Sequence, residues 1–233
     1  MLDKYKAVIF DLDNTLLDYD LSERSCMMQA LENHLQHEQP DWDEFWAVFG
    51  PINLKYWMDR IHNNHSIDQV LEYSFTDTFR QLRRQTANPR ELAETYWNLF
   101  CGTCHLEPNA DILINSLHGK YSLGILSNGI GAAQRKRIET GGLIHHFDAL
   151  VISDEVHCWK PDRLIFELML KELKIRPEEA LYIGDSLRDD YEGARAAGID
   201  FCLYRGRGQV LEAHQKPTYV INDLLELVNV LSE

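Results

Sequence analysis

Short apolar runs recur at Ala7–Phe10, Ser122–Leu126, Ala149–Ile152, Ala180–Ile183 and Phe201–Leu203, and each soon gives way to polar residues. Helical stretches follow them, at about Asn109–His118, Gly131–Thr140, Asp162–Leu173, Arg188–Ala197 and Leu224–Leu231. Strands that read as unbroken apolar runs are buried on both faces. Their alternation with helices joins them in parallel through crossover connections. The expected fold class is α/β: a Rossmann-like parallel sheet with helices on both faces.

One segment breaks the alternation. From Leu16 to about Cys104 there is no strand pattern, and helical spacing takes over at Leu31/Leu35, Phe45/Trp46/Phe49 and Phe75/Phe79/Leu82. Pro40, Pro51 and Pro89 punctuate the stretch, and Asn88 with Pro89 suits a helix start. The expected organisation is an α/β core at 1–15 and 105–233 with an inserted all-helical cap at 16–104. The linkers would be Leu16–Leu21 and Cys101–Pro108, and a separately packed bundle on two linkers is expected to open and close as a lid.

Charge narrows the partners. The 233 residues carry a net charge of −14 with no basic stripe, so a nucleic-acid polymer is not an expected partner. No apolar run approaches the ~20 residues that span a bilayer, so no membrane partner is expected. The start, MLDKYKAVIF, lacks a signal-peptide layout, and a cytoplasmic location is expected. Five scattered cysteines read as reduced thiols. The run CGTCH at Cys101–His105 matches a haem-attachment pattern, but without an export signal it reads as a helix end with incidental cysteines. His34/His37 and His62/His65 have helical i,i+3 spacing and read as solvated surface residues. An acidic protein that handles an anion needs a local positive device: a metal, a lysine or backbone amides.

In open parallel sheets, ligands bind outside the C-terminal strand ends. Those ends collect Asp11, Asp13 and Thr15, then Ser127–Asn128–Gly129, then Lys160–Pro161, then Gly184–Asp190. Singly, each has a plain reading as a turn or a helix cap. Together they place several carboxylates at one spot, which is unstable without a cation. Mg²⁺ is the expected cofactor, with Asp11 and Asp185 as side-chain ligands. Lys160 supplies a point charge for a phosphate oxygen, and Ser127 with the amides of Asn128 and Gly129 binds the others. Asp11 is the candidate nucleophile for an aspartyl-phosphate. Asp13 suits the acid/base role if its neighbours raise its pKa. Asp18 and Asp20 fall in the linker and read as solvated or helix-capping residues.

The set DLDNT at 11–15, SNG at 127–129, KPD at 160–162 and GDSLRDD at 184–190, with GARAAGI at 193–199, resembles the haloacid dehalogenase-like (HAD) hydrolase superfamily with a helical cap. The core resemblance covers about Tyr5–Thr15 and Asn109–Tyr204. It implies Asp11 as nucleophile and Mg²⁺ ligand, and Asp13 as acid/base with its backbone carbonyl on the metal. Ser127 and Lys160 would hold the phosphoryl group, and Asp185 would be a direct ligand. Asp190, in preference to Asp189, would support the metal's waters or Lys160. His157 stands where the family often has glycine, Trp159 is bulky, and Arg163 replaces a common proline.

Dehalogenases of the superfamily lack the second aspartate of the first motif, so Asp13 argues for phosphoryl chemistry. The implied enzyme is a phosphoric monoester hydrolase acting on a small phosphorylated metabolite. Its layout is similar to the pyrimidine 5′-nucleotidases of this superfamily and to its sugar-phosphate phosphatases. A phosphomutase of the same fold, a 2-haloacid dehalogenase and a non-enzymatic binding protein are the alternatives. Cap aromatics at helical spacing read as bundle core, and FRQLRR at Phe79–Arg84 as a solvated face.

Overall fold

A computed structural model describes residues 4–35, 40–61, 63–84 and 88–232. The elements run β1 (Ala7–Phe10), α1 (Tyr19–Leu35), α2 (Trp42–Asp59), α3 (Ile67–Leu82), α4 (Pro89–Gly102), α5 (Ala110–Leu117), β2 (Ser122–Ser127) and α6 (Gly131–Thr140). Then come β3 (Ala149–Ile152), α7 (Ser153–Val156), α8 (Arg163–Leu173), β4 (Ala180–Gly184), a π-helical turn (Leu187–Tyr191), α9 (Glu192–Ala197), β5 (Asp200–Tyr204), β6 (Tyr219–Ile221) and α10 (Glu226–Val230). The chain forms two compact units: Met1–Asp20 with Cys104–Glu233, and Leu21–Thr103. The chain first crosses between them after Asp20 rather than after Thr15, because Leu16 and Leu17 are fully buried in the core of the α/β unit.

The sheet has six parallel strands in the order β3-β2-β1-β4-β5-β6. The strand order reverses at β1, which lies between β2 and β4. Period 2 sorts the side chains between the two faces. Val8, Phe10, Leu123, Ile125, Leu181 and Ile183 pack with Leu113, Ile114 and Leu117 of α5, Ile138 of α6 and Leu227 of α10. Ile9, Leu126, Tyr182, Phe201 and Leu203 face the other way, against Ile165, Phe166 and Met169 of α8 and Ala194 and Ala197 of α9. Each such fully buried aliphatic or aromatic side chain contributes about 1.5–3 kcal/mol. Strand β6 escapes the sequence reading because three residues after Pro217 carry no periodicity. Phe10 pairs with Ile125 and Ile183, so β1, β2 and β4 end together and Asp11, Ser127 and Asp185 emerge at one edge.

In the helical unit, α2, α3 and α4 start on side-chain caps. Asp41 accepts from the N–H groups of Asp43 and Glu44, Ser66 forms a capping box with Gln69, and Asn88 precedes Pro89 at the first helical position. Phe45, Phe49, Phe75, Phe79, Tyr96 and Phe100 are buried and their rings pack on one another, stacked, tilted or edge-on, so these aromatics form the bundle core. Pro51 does not break the chain but sits inside α2. Phe45 and Phe49 before it pack on Phe75 and Phe79, and Asn53 and Tyr56 after it bond to Ser74 and Asp77, so α3 holds both halves of the helix. Arg80 and Arg84 form ion pairs with Asp77 and Glu44. His37 and His62 lie outside the described residues. Among the described residues, no helix is long and apolar enough to cross a membrane, and all five cysteines are free thiols.

Candidate active site

Asp11 directly follows β1, and its N–H donates to the Ile183 carbonyl at the end of β4 (2.8 Å). Its side chain is buried against Lys160, whose ammonium donates to Asp11 Oδ1 (2.6 Å), Asp190 Oδ1 (2.7 Å) and the Tyr182 hydroxyl (3.1 Å). These three acceptors use all three ammonium hydrogens. Burial works against the charge on Lys160, but Asp11 and Asp190 outweigh it and hold the lysine above its ordinary pKa. Asp190 is fully buried, and its Oδ2 takes the Ser186 N–H (3.0 Å). A Cβ on Gly184 would meet that Oδ2 at 2.3 Å, so only glycine lets the carboxylate approach the end of β4. Asp189 is the more exposed neighbour; it lines the cleft but does not reach Lys160's hydrogen-bonding shell.

Asp11, Asp185 and Asp190 each offer a carboxylate oxygen within 4.8 Å of the others. Three carboxylates against one ammonium leave negative charge in excess. Burial, with Asp190 adding to it, pushes Asp185 up to about 7, against the opposing pull of Lys160 and Arg207. Burial likewise carries Asp11 well above the usual carboxylate range, with Lys160 opposing and Asp190 and Asp185 adding to the rise. Clustered oxygen donors with raised pKa values suit a hard cation such as Mg²⁺. Asp190 has both oxygens engaged, so Asp11 and Asp185 are the residues that fit as ligands, with Asp190 behind them.

The cleft is lined by Asp11, Asp13, Ser127, Asn128, Lys160, Asp185, Ser186, Asp189 and Asp190. Ser127 ends β2. The Asn128 side chain grips the backbone of Lys160 from both sides, accepting its N–H (2.9 Å) and donating to its carbonyl (3.0 Å), which fixes the lysine loop. Gly129 departs from its expected role as a phosphate-binding residue. It is absent from the lining, and its N–H donates to Ser153 Oγ (3.1 Å). A Cβ there would meet Gln134 at 2.6 Å, so this glycine makes room for a side chain. Gln134 and Arg137 of α6, which sequence reasoning passes over, hold Asp13. Gln134 donates to Asp13 Oδ2 (2.7 Å) and Arg137 to Oδ1 (2.6 Å). The neighbours of Asp13 are therefore a guanidinium and an amide rather than other carboxylates. The signal available was two polar residues on the buried face of α6, three apart and beside Ile138. Tyr182 was also missed: a hydroxyl inside a buried strand requires a polar partner.

His157 adopts φ +52, the left-handed conformation that glycine favours, and it ends α7. His157 is exposed, and Trp159 is only partly buried; neither lines the cleft. Arg163 opens α8 and pairs with Glu167 (2.7 Å). Asp18 and Asp20 are not free surface acids. Arg207, just past β5, donates to Asp18 (2.7 Å) and Asp20 (3.0 Å) and also pairs with Glu107.

A parallel sheet that gathers acids, a buried lysine and a serine where its strand order reverses defines an α/β enzyme with its site at that reversal. The chain belongs to the haloacid dehalogenase-like hydrolase family, whose sequence profile matches residues 8–204. It is 29% identical to pyrimidine 5′-nucleotidase YjjG of Escherichia coli (strain K12), over 98% of each chain. It is also 29% identical to pyrimidine 5′-nucleotidase PynA of Streptococcus pneumoniae, over 98% of this chain and 96% of that one. Among solved structures it is similar to the HAD-hydrolase YfnB of Bacillus subtilis bound to magnesium, with a TM-score of 0.83 and 26% identity over 99% of this chain and all of that one.

Proposed function

We propose that the protein is a Mg²⁺-dependent phosphatase that hydrolyses a small phosphomonoester, a nucleoside 5′-monophosphate, through an aspartyl-phosphate on Asp11. The observation that carries this reading is Asp13, present beside Asp11 in one cleft with Ser127 and Lys160. A halide leaves without a proton, whereas an alkoxide needs one, so a second carboxyl in the cleft has a use only in ester chemistry. The nucleotide is favoured because the two nucleotidases are similar to this chain from end to end.

Ser127 orients the phosphoryl group, and Lys160, its position fixed by Asn128 and Asp190, sets a positive charge beside it. A carboxylate oxygen of Asp11 attacks phosphorus, and the bond from phosphorus to the ester oxygen breaks with its electron pair on that oxygen. Asp13 gives the departing oxygen a proton. Asp13 then takes a proton from water, whose oxygen attacks phosphorus, and the bond to Asp11 breaks to restore the carboxylate. Asp11 and Asp185, with the Asp13 carbonyl, would hold the magnesium ion, which would neutralise part of the charge that phosphate brings to these acids.

The test is phosphate release from a panel of phosphorylated metabolites with and without Mg²⁺, using Asp11→Asn as the control. The expected result is metal-dependent turnover that favours nucleoside 5′-monophosphates and disappears in Asp11→Asn. Full turnover by Asp11→Asn would sink the mechanism.

A further inference from the structure

Gln134 and Arg137 take no part in the steps above, yet both are buried, and Arg137 is shielded completely. The two Nε2 hydrogens of Gln134 go to Asp13 Oδ2 (2.7 Å) and Ser127 Oγ (2.9 Å). Its Oε1 accepts from Arg137 Nη1 (3.0 Å), and the other hydrogen on that nitrogen goes to Asp13 Oδ1 (2.6 Å). Arg137 thereby fixes the orientation of the amide. Flipped, the amide would set N–H against the guanidinium and oxygen against the carboxylate.

We infer that Gln134 and Arg137 are positioning residues for the acid/base work of Asp13, an inference that rests on the phosphatase reading. Each Asp13 oxygen accepts one bond from this pair and keeps a lone pair for the travelling proton. The carboxyl is therefore gripped at both oxygens without being blocked. Because Gln134 occupies an acceptor position of the Ser127 hydroxyl, that hydroxyl's own hydrogen is directed elsewhere. One amide thus couples the phosphate-binding serine to the acid/base carboxyl. Burying a guanidinium is costly, so its placement on the acid/base residue is a positioning feature and not generic packing. Gly129 fits the same purpose, since any larger residue there would displace Gln134.

The experiment compares kcat/KM for two esters, p-nitrophenyl phosphate and the alkyl phosphate turned over fastest. Up to phosphoenzyme formation, the nitrophenolate leaves without a proton and the alkoxide needs one. In Gln134→Met, kcat/KM for the alkyl ester is expected to fall at least about tenfold more than for the aryl ester. Arg137→Met is expected to do the same, and Arg137→Lys to recover part of the lost ratio. If Arg137→Met does not fold, Gln134→Met and Arg137→Lys carry the comparison. Equal losses on both esters, with active wild type, overturn the positioning role alone. Wild-type inactivity on every ester overturns the phosphatase reading with it.

Discussion

The ammonium of Lys160 and the carboxylate of Asp190 meet at 2.7 Å with side chains 3% and 0% exposed, so water screens neither. Removing one partner of such a pair costs far more than the pair contributes, because the other charge stays buried alone. Lys160→Met leaves Asp11, Asp185 and Asp190 without their shared cation. The expected loss is about 3–5 kcal/mol of unfolding free energy, read from urea denaturation in EDTA. Turnover should fall about 10²–10³-fold. Added Mg²⁺ should recover part of the stability and little of the rate.

Asp185 supplies a pH dependence with a definite sign. Its folded pKa of about 7 lies above the ordinary aspartate value of 3.8. The stability linked to its protonated form is complete below about pH 4 and is lost as pH rises through 7. Metal binding needs the ionised form, so the two effects oppose each other. Apparent Mg²⁺ affinity should therefore be weaker at pH 5.5 than at pH 7.5. Thermal shifts with and without Mg²⁺ at both pH values check this. A larger Mg²⁺-induced shift at pH 5.5 would contradict it.

Gly184→Ala tests how closely Asp190 fits against β4. The added methyl would sit 2.3 Å from Asp190 Oδ2, forcing the carboxylate off the Ser186 N–H. Overpacking of this kind costs about 1–3 kcal/mol, and turnover should fall because Lys160 loses its anchor. Gly102→Ala is the control: a Cβ there meets nothing within 4 Å. It ends α4 and should be neutral or slightly stabilising by denaturant unfolding.

Much of the α/β unit is legible in its sequence because buried parallel strands must be apolar throughout. Ala7–Phe10, Ala149–Ile152 and Gly131–Thr140 appear in the structure with the bounds their patterns imply. The strand-end residues are equally readable, since a parallel sheet fixes the edge at which Asp11, Ser127 and Asp185 emerge. What stays hidden depends on contacts between distant segments. Gln134 and Arg137 share the apolar face of α6 with Ile138, but what they hold appears only when α6 lies against Asp13. Gly129 looks like a turn glycine until the space it leaves is seen to hold a side chain. Asp18 and Asp20 read as solvated because their arginine lies far along the chain at position 207.

That arginine gives the last prediction. The chain leaves the α/β unit after Asp20 and re-enters at Cys104, and the stretches next to these points pair: Asp18 N–H donates to the His105 carbonyl and Glu107 N–H to the Leu16 carbonyl, both at 2.9 Å. Arg207 draws together carboxylates from both stretches: Asp18 and Asp20 from one, Glu107 from the other. Without it, those acids face one another, and Glu107, held also by the Tyr204 hydroxyl, stays buried without its cation. The Arg207 side chain is 25% exposed, so solvent screens part of the interaction. Arg207→Met should therefore cost about 1–3 kcal/mol, below the value for a sealed pair. A double-mutant cycle with Asp18→Asn should return a coupling of about 0.5–3 kcal/mol that shrinks in 1 M salt. Additive effects of the two substitutions would mean that the pairing does not hold the two stretches together.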